Sequence, residues 1–316
     1  MHRSITLLCL VAGMMAAEAG STVTYDATYA SWLSQSWTTA GGTSTHGSIL
    51  EASQKIDPGF IHRVTYRDTK EIGLKPFASI AAGSDSTYAQ AIGGLKYNFN
   101  ESWGINAEVE YGTFNVHTAT TDSAGVEHEH DGTSTYQSAL VSVGVDSFGG
   151  YVVMRQHKVP NMLRYRQDDG RTLDMYFDKD YSTRTVMLGL YTKLSTDCAG
   201  GTLSLDLRAA IGQCFGTSGS EAQAAFEKDW GYKPINTHFK GYEAAADLGY
   251  EHRIGSFGLC GFGVRALGFG NVAAFDTGTG SHNGGSTGQT QGISGSPDAT
   301  RIDAFWGPYL RVGAVF

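Results

Sequence analysis

The side chains with chemistry to offer fall into stripes. Arg63, Arg67, Lys75, Lys96, Lys193, Arg208, Arg265, Arg301 and Arg311 occupy alternate positions of segments whose other positions are largely apolar. So do Glu108, Glu110, Asp146, Asp206, Glu243, Asp247, Glu251 and Asp303. A charge at every second residue of an extended chain lines one face. The early segments are basic and the next two acidic. Walls of opposite sign would set a transverse field across a water-filled lumen, which passes small polar solutes and repels apolar ones. The same charges could instead pair with one another and fill the interior. Either way this is chemistry of selection or packing, with no bond made or broken.

Candidates for bond-making are sparse. In "VEHEHDG", His128 and His130 share one face of a strand beside Glu127, Glu129 and Asp131, a pattern open to zinc or copper but lacking a fixed further ligand. A surface protease would need two acidic pairs and a histidine at an outer rim, and only Asp178, Asp180 and His157 offer themselves. His252 near Ser256 falls at a short turn. The expectation is therefore no catalytic set, no metal and no cofactor.

The elements that must hold the stripes are strands. In "STYAQAIGGLKYNFNESWGINAEVEYGTF", Ala89, Ala91, Gly93, Leu95, Tyr97 and Phe99 share one face against Gln90, Lys96 and Asn98. After Asn100-Glu101, Trp103, Ile105, Ala107, Val109 and Tyr111 oppose Asn106, Glu108 and Glu110. Leu203, Leu205, Leu207, Ala209 and Ile211 oppose Ser204, Asp206 and Arg208, and Tyr242, Ala244, Ala246, Leu248 and Tyr250 oppose Glu243, Asp247 and Glu251. Period-2 alternation of this kind marks strands with one apolar face. Tyr97, Phe99 and Trp103 crowd one turn, as aromatics do at a membrane interface.

The connections alternate in length. Short turns fall at 67–71, 100–101, 148–150, 195–201 and 253–256, longer connections near 115–135, 159–181, 215–240 and 268–300, with 83–85 short on the long side. The pattern predicts an all-β chain: a single transmembrane antiparallel up-and-down β-barrel of twelve strands, with short periplasmic turns and long extracellular loops. The strands are expected near 22–33, 59–67, 72–82, 86–99, 102–114, 136–147, 150–158, 182–194, 202–214, 241–252, 257–267 and 301–316. The first is the least determined, since residues 20–56 could hold the first strand and a loop or an N-terminal extension. "SEAQAAFEKDWG" has a Ser cap, good helix formers and a closing Gly, so a short helix is expected near 220–230.

Composition agrees. The 316 residues carry net charge -8 and 23 Lys+Arg, which argues against a nucleic-acid partner. Mean hydropathy is -0.21, compatible with strands that need only every second residue apolar. Residues 1–19 read as a secretory signal: Arg3, an apolar run from Ile5 to Ala17, and Ala17-Glu18-Ala19 before Gly20. Residues 20–316 then form one barrel domain. Cys198, Cys214 and Cys260 remain, and in an oxidising compartment one pair could bridge.

The chain ends on "YLRVGAVF". Leu310, Val312, Ala314 and Phe316 alternate along an amphipathic strand, which resembles the C-terminal signature of Gram-negative outer-membrane β-barrels that the barrel-assembly machinery reads. The resemblance implies insertion among outer-membrane lipids. "YEAAADLGYEHRIGSFGLCGFG" resembles a hairpin of an autotransporter translocator barrel, also twelve-stranded. His46 and Ser48 in "STHGSIL" are similar to the His-x-Ser pair of an outer-membrane phospholipase, but Ile49 and Leu50 replace that family's Asn-Gly. The expected function is a narrow porin-like channel for passive passage of small polar solutes, lined by the charges above. A closed barrel with partner-binding loops is the alternative, and a lipid hydrolase or protease comes third.

Overall fold

The computed structural model describes residues 20–39, 52–55, 59–70, 72–84, 88–100, 102–121, 127–160, 165–166, 172–173, 180–218, 236–276 and 298–316. Twelve long strands dominate: β1 (Ser21–Thr39), β2 (Gly59–Asp68), β3 (Gly73–Gly83), β4 (Tyr88–Asn98), β5 (Trp103–Thr121), β6 (Glu127–Val145), β7 (Phe148–Pro160), β8 (Asp180–Cys198), β9 (Gly201–Ser218), β10 (Asn236–Ile254), β11 (Gly258–Asp276) and β12 (Asp298–Val315). Each pairs antiparallel with its neighbour in the chain, and β12 pairs back onto β1 from Thr22↔Val315 to Thr39↔Asp298. This pairing closes the sheet into a barrel. The ladder between β1 and β12 skips only Tyr29-Ala30 against Gly307-Pro308, where proline has no N–H to give.

Among the described residues the first strand is β1, Ser21–Thr39. Ala52–Lys55 forms a short strand of its own. It pairs with Ser34–Ser36 of β1 and with His117 and Thr118 of β5. It fills the ladder above β2, β3 and β4, which have only 10 or 11 residues each.

Several strands run further than the alternation predicts. The connection expected over 115–135 is mostly ladder: β5 and β6 stay in register from Phe114↔Ser134 to Thr121↔Glu127. The β-branched residues of "NVHTATT" favour extended backbone even without an apolar face. Polar hairpins that project beyond a membrane have no reason to alternate, so the period-2 signal fades while the strand continues. The region 159–181 likewise contains a two-stranded hairpin, Tyr165–Arg166 with Thr172–Leu173, before β8 begins. The helix expected near 220–230 lies outside the described residues.

The outer wall is apolar. Leu188, Ile211 and Leu310 are 69%, 68% and 68% exposed, whereas inward Phe114 is 1% exposed. Exposed Tyr97, Phe99, Trp103, Phe148, Phe257 and Phe316 ring the short-turn end, and Tyr29, Phe60, Tyr111 and Trp306 form a second band further out. Water would not tolerate such a wall, but a bilayer with aromatic girdles at both interfaces does. Among the described residues no helix is long and apolar enough to cross a membrane, as suits a barrel that crosses with strands.

Candidate functional site: the barrel interior

The interior is built in two tiers, set by which residue types the inward parity delivers at each height. Nearer the short turns it is ionic. Asp26 of β1 is enclosed and held by two guanidinium groups: Arg265 of β11 donates from Nη2 at 2.9 Å, and Arg311 of β12 from Nε at 2.6 Å and Nη2 at 3.0 Å. The fork geometry suits a carboxylate. Arg311 also pairs with Glu251, and Arg265 Nε lies 3.5 Å from Asp247. The Tyr309 hydroxyl donates to Asp247 at 2.8 Å, and the Arg265 guanidinium stacks over its ring at 4.1 Å. This cluster ties the first strand to the last three.

A second cluster centres on Glu243 of β10, whose side chain is fully buried. It pairs with Arg155 of β7 and, at 3.2 Å, with Arg208 of β9. Glu108 and Glu110 also attract Arg208. Arg63 donates to Gln90 Oε1 at 2.7 Å, and Gln90 donates to Glu110 and, at 3.1 Å, to the Tyr136 hydroxyl. Ser138 donates to Glu110 at 3.0 Å. At the short-turn mouth Lys96 pairs with Asp146, and Lys193 lies 3.6 Å from Asp206. Lys75 sits directly across the ladder from Lys96.

The fifteen residues expected to line a pore do not form one lining. Arg63, Arg67, Glu108, Glu110, Asp146, Lys193, Asp206, Arg208, Asp247 and Arg265 border a cavity of about 410 Å³. It opens at the short-turn end, where the side chains of Asp146 and Asp206 are 69% and 50% exposed. Glu243, Asp303 and Arg311 are packed into ion pairs outside it. Leu267 and Phe305 form its apolar roof.

That roof is the second tier, and the stripes do not announce it. Trp32 of β1 packs against Phe305 of β12 at 5.0 Å, Tyr88 of β4 at 5.3 Å and Phe114 of β5 at 5.5 Å between ring centroids. From the same side, Phe269 of β11 meets Tyr136 of β6 at 5.6 Å and His157 of β7 at 5.1 Å. Phe114 joins the halves through Tyr136 and His157. Ala30, Ile61, Ala81 and Leu267 fill the remaining gaps. Each of these contacts reaches across the lumen or along its wall, so the rings make a septum.

Two charged participants escape the sequence pattern. Asp26 is the lone charge of β1 and shares parity with Thr24 and Thr28, a signal present but weak. Arg155 is hidden because β7 is apolar on both faces: Tyr151 and Val153 point inward while Val152 and Met154 point out. Of the protease-like trio only His157 has a described side chain. His157 lies inside, bonded to Ser134, and Asp178 lies outside the described residues. The side chains of His46, Ser48, His128, His130 and Arg301 likewise fall outside what is described. Cys198 and Cys260 carry free thiols. Leu310, Val312 and Phe316 face outward, and Phe316 bonds through its backbone to Gly20 and Ser21.

No family model and no curated protein matches the sequence. Among solved structures the chain is similar to the translocator domain of the autotransporter NalP from Neisseria meningitidis, with 14% identity, 100% of this chain and 95% of that one covered, and a TM-score of 0.43. It is similar to the toluene transporter TodX of P. putida, with 9% identity, 96% and 92% covered and a TM-score of 0.36. It is also similar to the outer membrane protease OmpT from Escherichia coli, with 6% identity, 93% and 97% covered and a TM-score of 0.39. Translocation, transport and proteolysis belong to those proteins. The closed ladder and the apolar, aromatic-girdled wall make this chain a membrane-spanning β-barrel.

Proposed function

We propose that this barrel is closed to ions through its lumen and does its work at its outer surface, through the long connections that bind a partner or shape the cell envelope. The observation that supports this is the septum. Tyr88, Phe114, Tyr136, Phe269 and Phe305 are each no more than 6% exposed although all point into the lumen. A water-filled pore would wet them. The ionic tier below fits the same reading, because its buried carboxylates are each matched by guanidinium groups or amides, as in a packed interior. Twelve strands enclose a lumen between the filled interior of eight and the open channel of sixteen, and here side chains occupy it. The test is permeability: proteoliposomes carrying the folded barrel should swell in small sugars no faster than empty ones, and swelling at porin-like rates would refute a closed lumen.

A second reading, the narrow porin-like channel for small polar solutes, is favoured by one observation. The 410 Å³ charged vestibule resembles half a permeation path. Conduction would then require Trp32 and Phe305 to move aside. In both readings the outward Leu310, Val312, Ala314 and Phe316 serve recognition by the assembly machinery and contact with lipid. Neither reading calls for catalysis.

A further inference from the structure

The outer side of the septum carries an arrangement that a closed lumen does not require. Ser134 lies one inward position beyond Tyr136 on β6, and Asp303 one beyond Phe305 on β12, both away from the short turns. His157 of β7 stands between them. Ser134 Oγ is 2.8 Å from His157 Nε2, and His157 Nδ1 is 3.7 Å from Asp303 Oδ2. The alternative acceptor for the Ser134 hydroxyl, the Lys158 carbonyl, is further away at 3.3 Å. Which group takes the hydroxyl proton follows the imidazole tautomer: the form protonated at Nδ1 leaves Nε2 to accept from Ser134 and turns its own proton toward the carboxylate. Phe269 holds the imidazole edge-on at 5.1 Å and 72°, and Phe114 flanks it at 6.2 Å. A serine, a histidine with one ring nitrogen toward that serine, and a carboxylate behind the other nitrogen are the three groups that a nucleophile, its general base and an orienting acid require.

We propose that Ser134, His157 and Asp303 form a hydrolytic site for carboxylic esters that approach from the outer face. The rings of Phe114, Phe269 and Phe305 floor the site and suit an apolar acyl group. In the first step Ser134 Oγ bonds to the ester carbonyl carbon while its proton passes to His157 Nε2. The bond from that carbon to the alcohol oxygen breaks, and the alcohol leaves with the proton from His157. Water then attacks the acyl-serine, giving its proton to His157. The carboxylic acid departs and Ser134 recovers its hydrogen. The 3.7 Å contact is loose, as such contacts commonly are without substrate. Ser134 is fully buried, so acylation also needs the neighbouring rings to shift, a motion of the lid-opening kind. The proposal is independent of whether the lumen conducts.

The experiment uses the purified, folded full-length barrel in detergent, with a fluorophosphonate probe and p-nitrophenyl butyrate as ester. We expect a covalent adduct that peptide mass spectrometry maps to Ser134, and ester hydrolysis above the protein-free rate. Ser134→Ala should abolish the adduct and the hydrolysis while the barrel keeps its heat-modifiable migration. Asp303→Asn should lower the hydrolysis rate about 100-fold or more through the wrong imidazole tautomer, with KM little changed. Should Ser134→Ala fail to fold, the wild-type adduct alone decides. An adduct elsewhere, no adduct, or Ser134→Ala hydrolysing as fast as wild type would overturn the proposal and leave the trio as a packing bridge.

Discussion

The Tyr136 ring of β6 and the Phe269 ring of β11 meet across the lumen with centroids 5.6 Å apart. Five steps around a twelve-strand wall separate those strands, so their side chains can touch only by filling the space between. Together with Trp32 and Phe305 they cap the charged vestibule on the side away from the short turns.

Thinning the septum should open it. The double variant Trp32→Ala, Phe305→Ala removes two rings that contact each other at 5.0 Å. It should convert a silent barrel into one with resolvable conductance in planar bilayers. Its stability should fall by roughly 3–5 kcal/mol or more, on the scale of large-to-small core changes. A folded double variant as silent as wild type would mean that another constriction seals the lumen.

Lipid-facing and lumen-facing positions should respond oppositely to charge. Leu188 points outward near the middle of β8 and is 69% exposed. Leu188→Arg should cost roughly 2–4 kcal/mol because the guanidinium meets hydrocarbon. Ser204→Arg on β9, which shares inward parity with Asp206 and Arg208, should cost much less. Urea titration of folded barrel in vesicles measures both, and equal losses would contradict the assigned faces.

Glu243 should be the most sensitive ion-pair member. Its carboxylate serves Arg155 and Arg208 at once, and the side chains of Glu243 and Arg155 are 0% and 4% exposed. Glu243→Leu leaves two guanidinium groups without their partner, at a cost of roughly 3–5 kcal/mol. The paired change Glu243→Leu, Arg155→Met should recover much of that loss, because an apolar replacement of both partners leaves one charge fewer stranded. If the double variant were no more stable than the single one, the coupling would lie elsewhere.

The pattern of what the sequence revealed has a physical cause. The strands were legible wherever one face met lipid, because hydrocarbon imposes apolar residues at every second position, as at Leu203, Leu207 and Ile211. Short turns at Asn100 and Ala199-Gly200 were legible from turn chemistry, and Ala199 and Gly200 do adopt positive φ. The extensions of β5 and β6 were not, since no bilayer disciplines their faces. The septum was invisible for the opposite reason. Trp32, Phe114, Phe269 and Phe305 are apolar residues on the inward parity, so in an alternation count they blur the pattern rather than sharpen it. Ser134 fell in a stretch that looked like loop, and Asp303, on the other side of His157, lies over 160 residues further along the chain, a separation that the closed ladder removes.

The closed lumen is the central claim, and single-channel recording of the wild-type barrel in a planar bilayer tests it most directly. The folded, heat-modifiable protein should insert and show no resolvable conductance steps in concentrated salt, while the septum double variant recorded alongside it does. Steady, uniform steps from the wild-type protein, with an ion selectivity that changes when Arg63, Lys75 and Lys96 are all changed to Glu, would contradict a closed barrel and establish a channel instead.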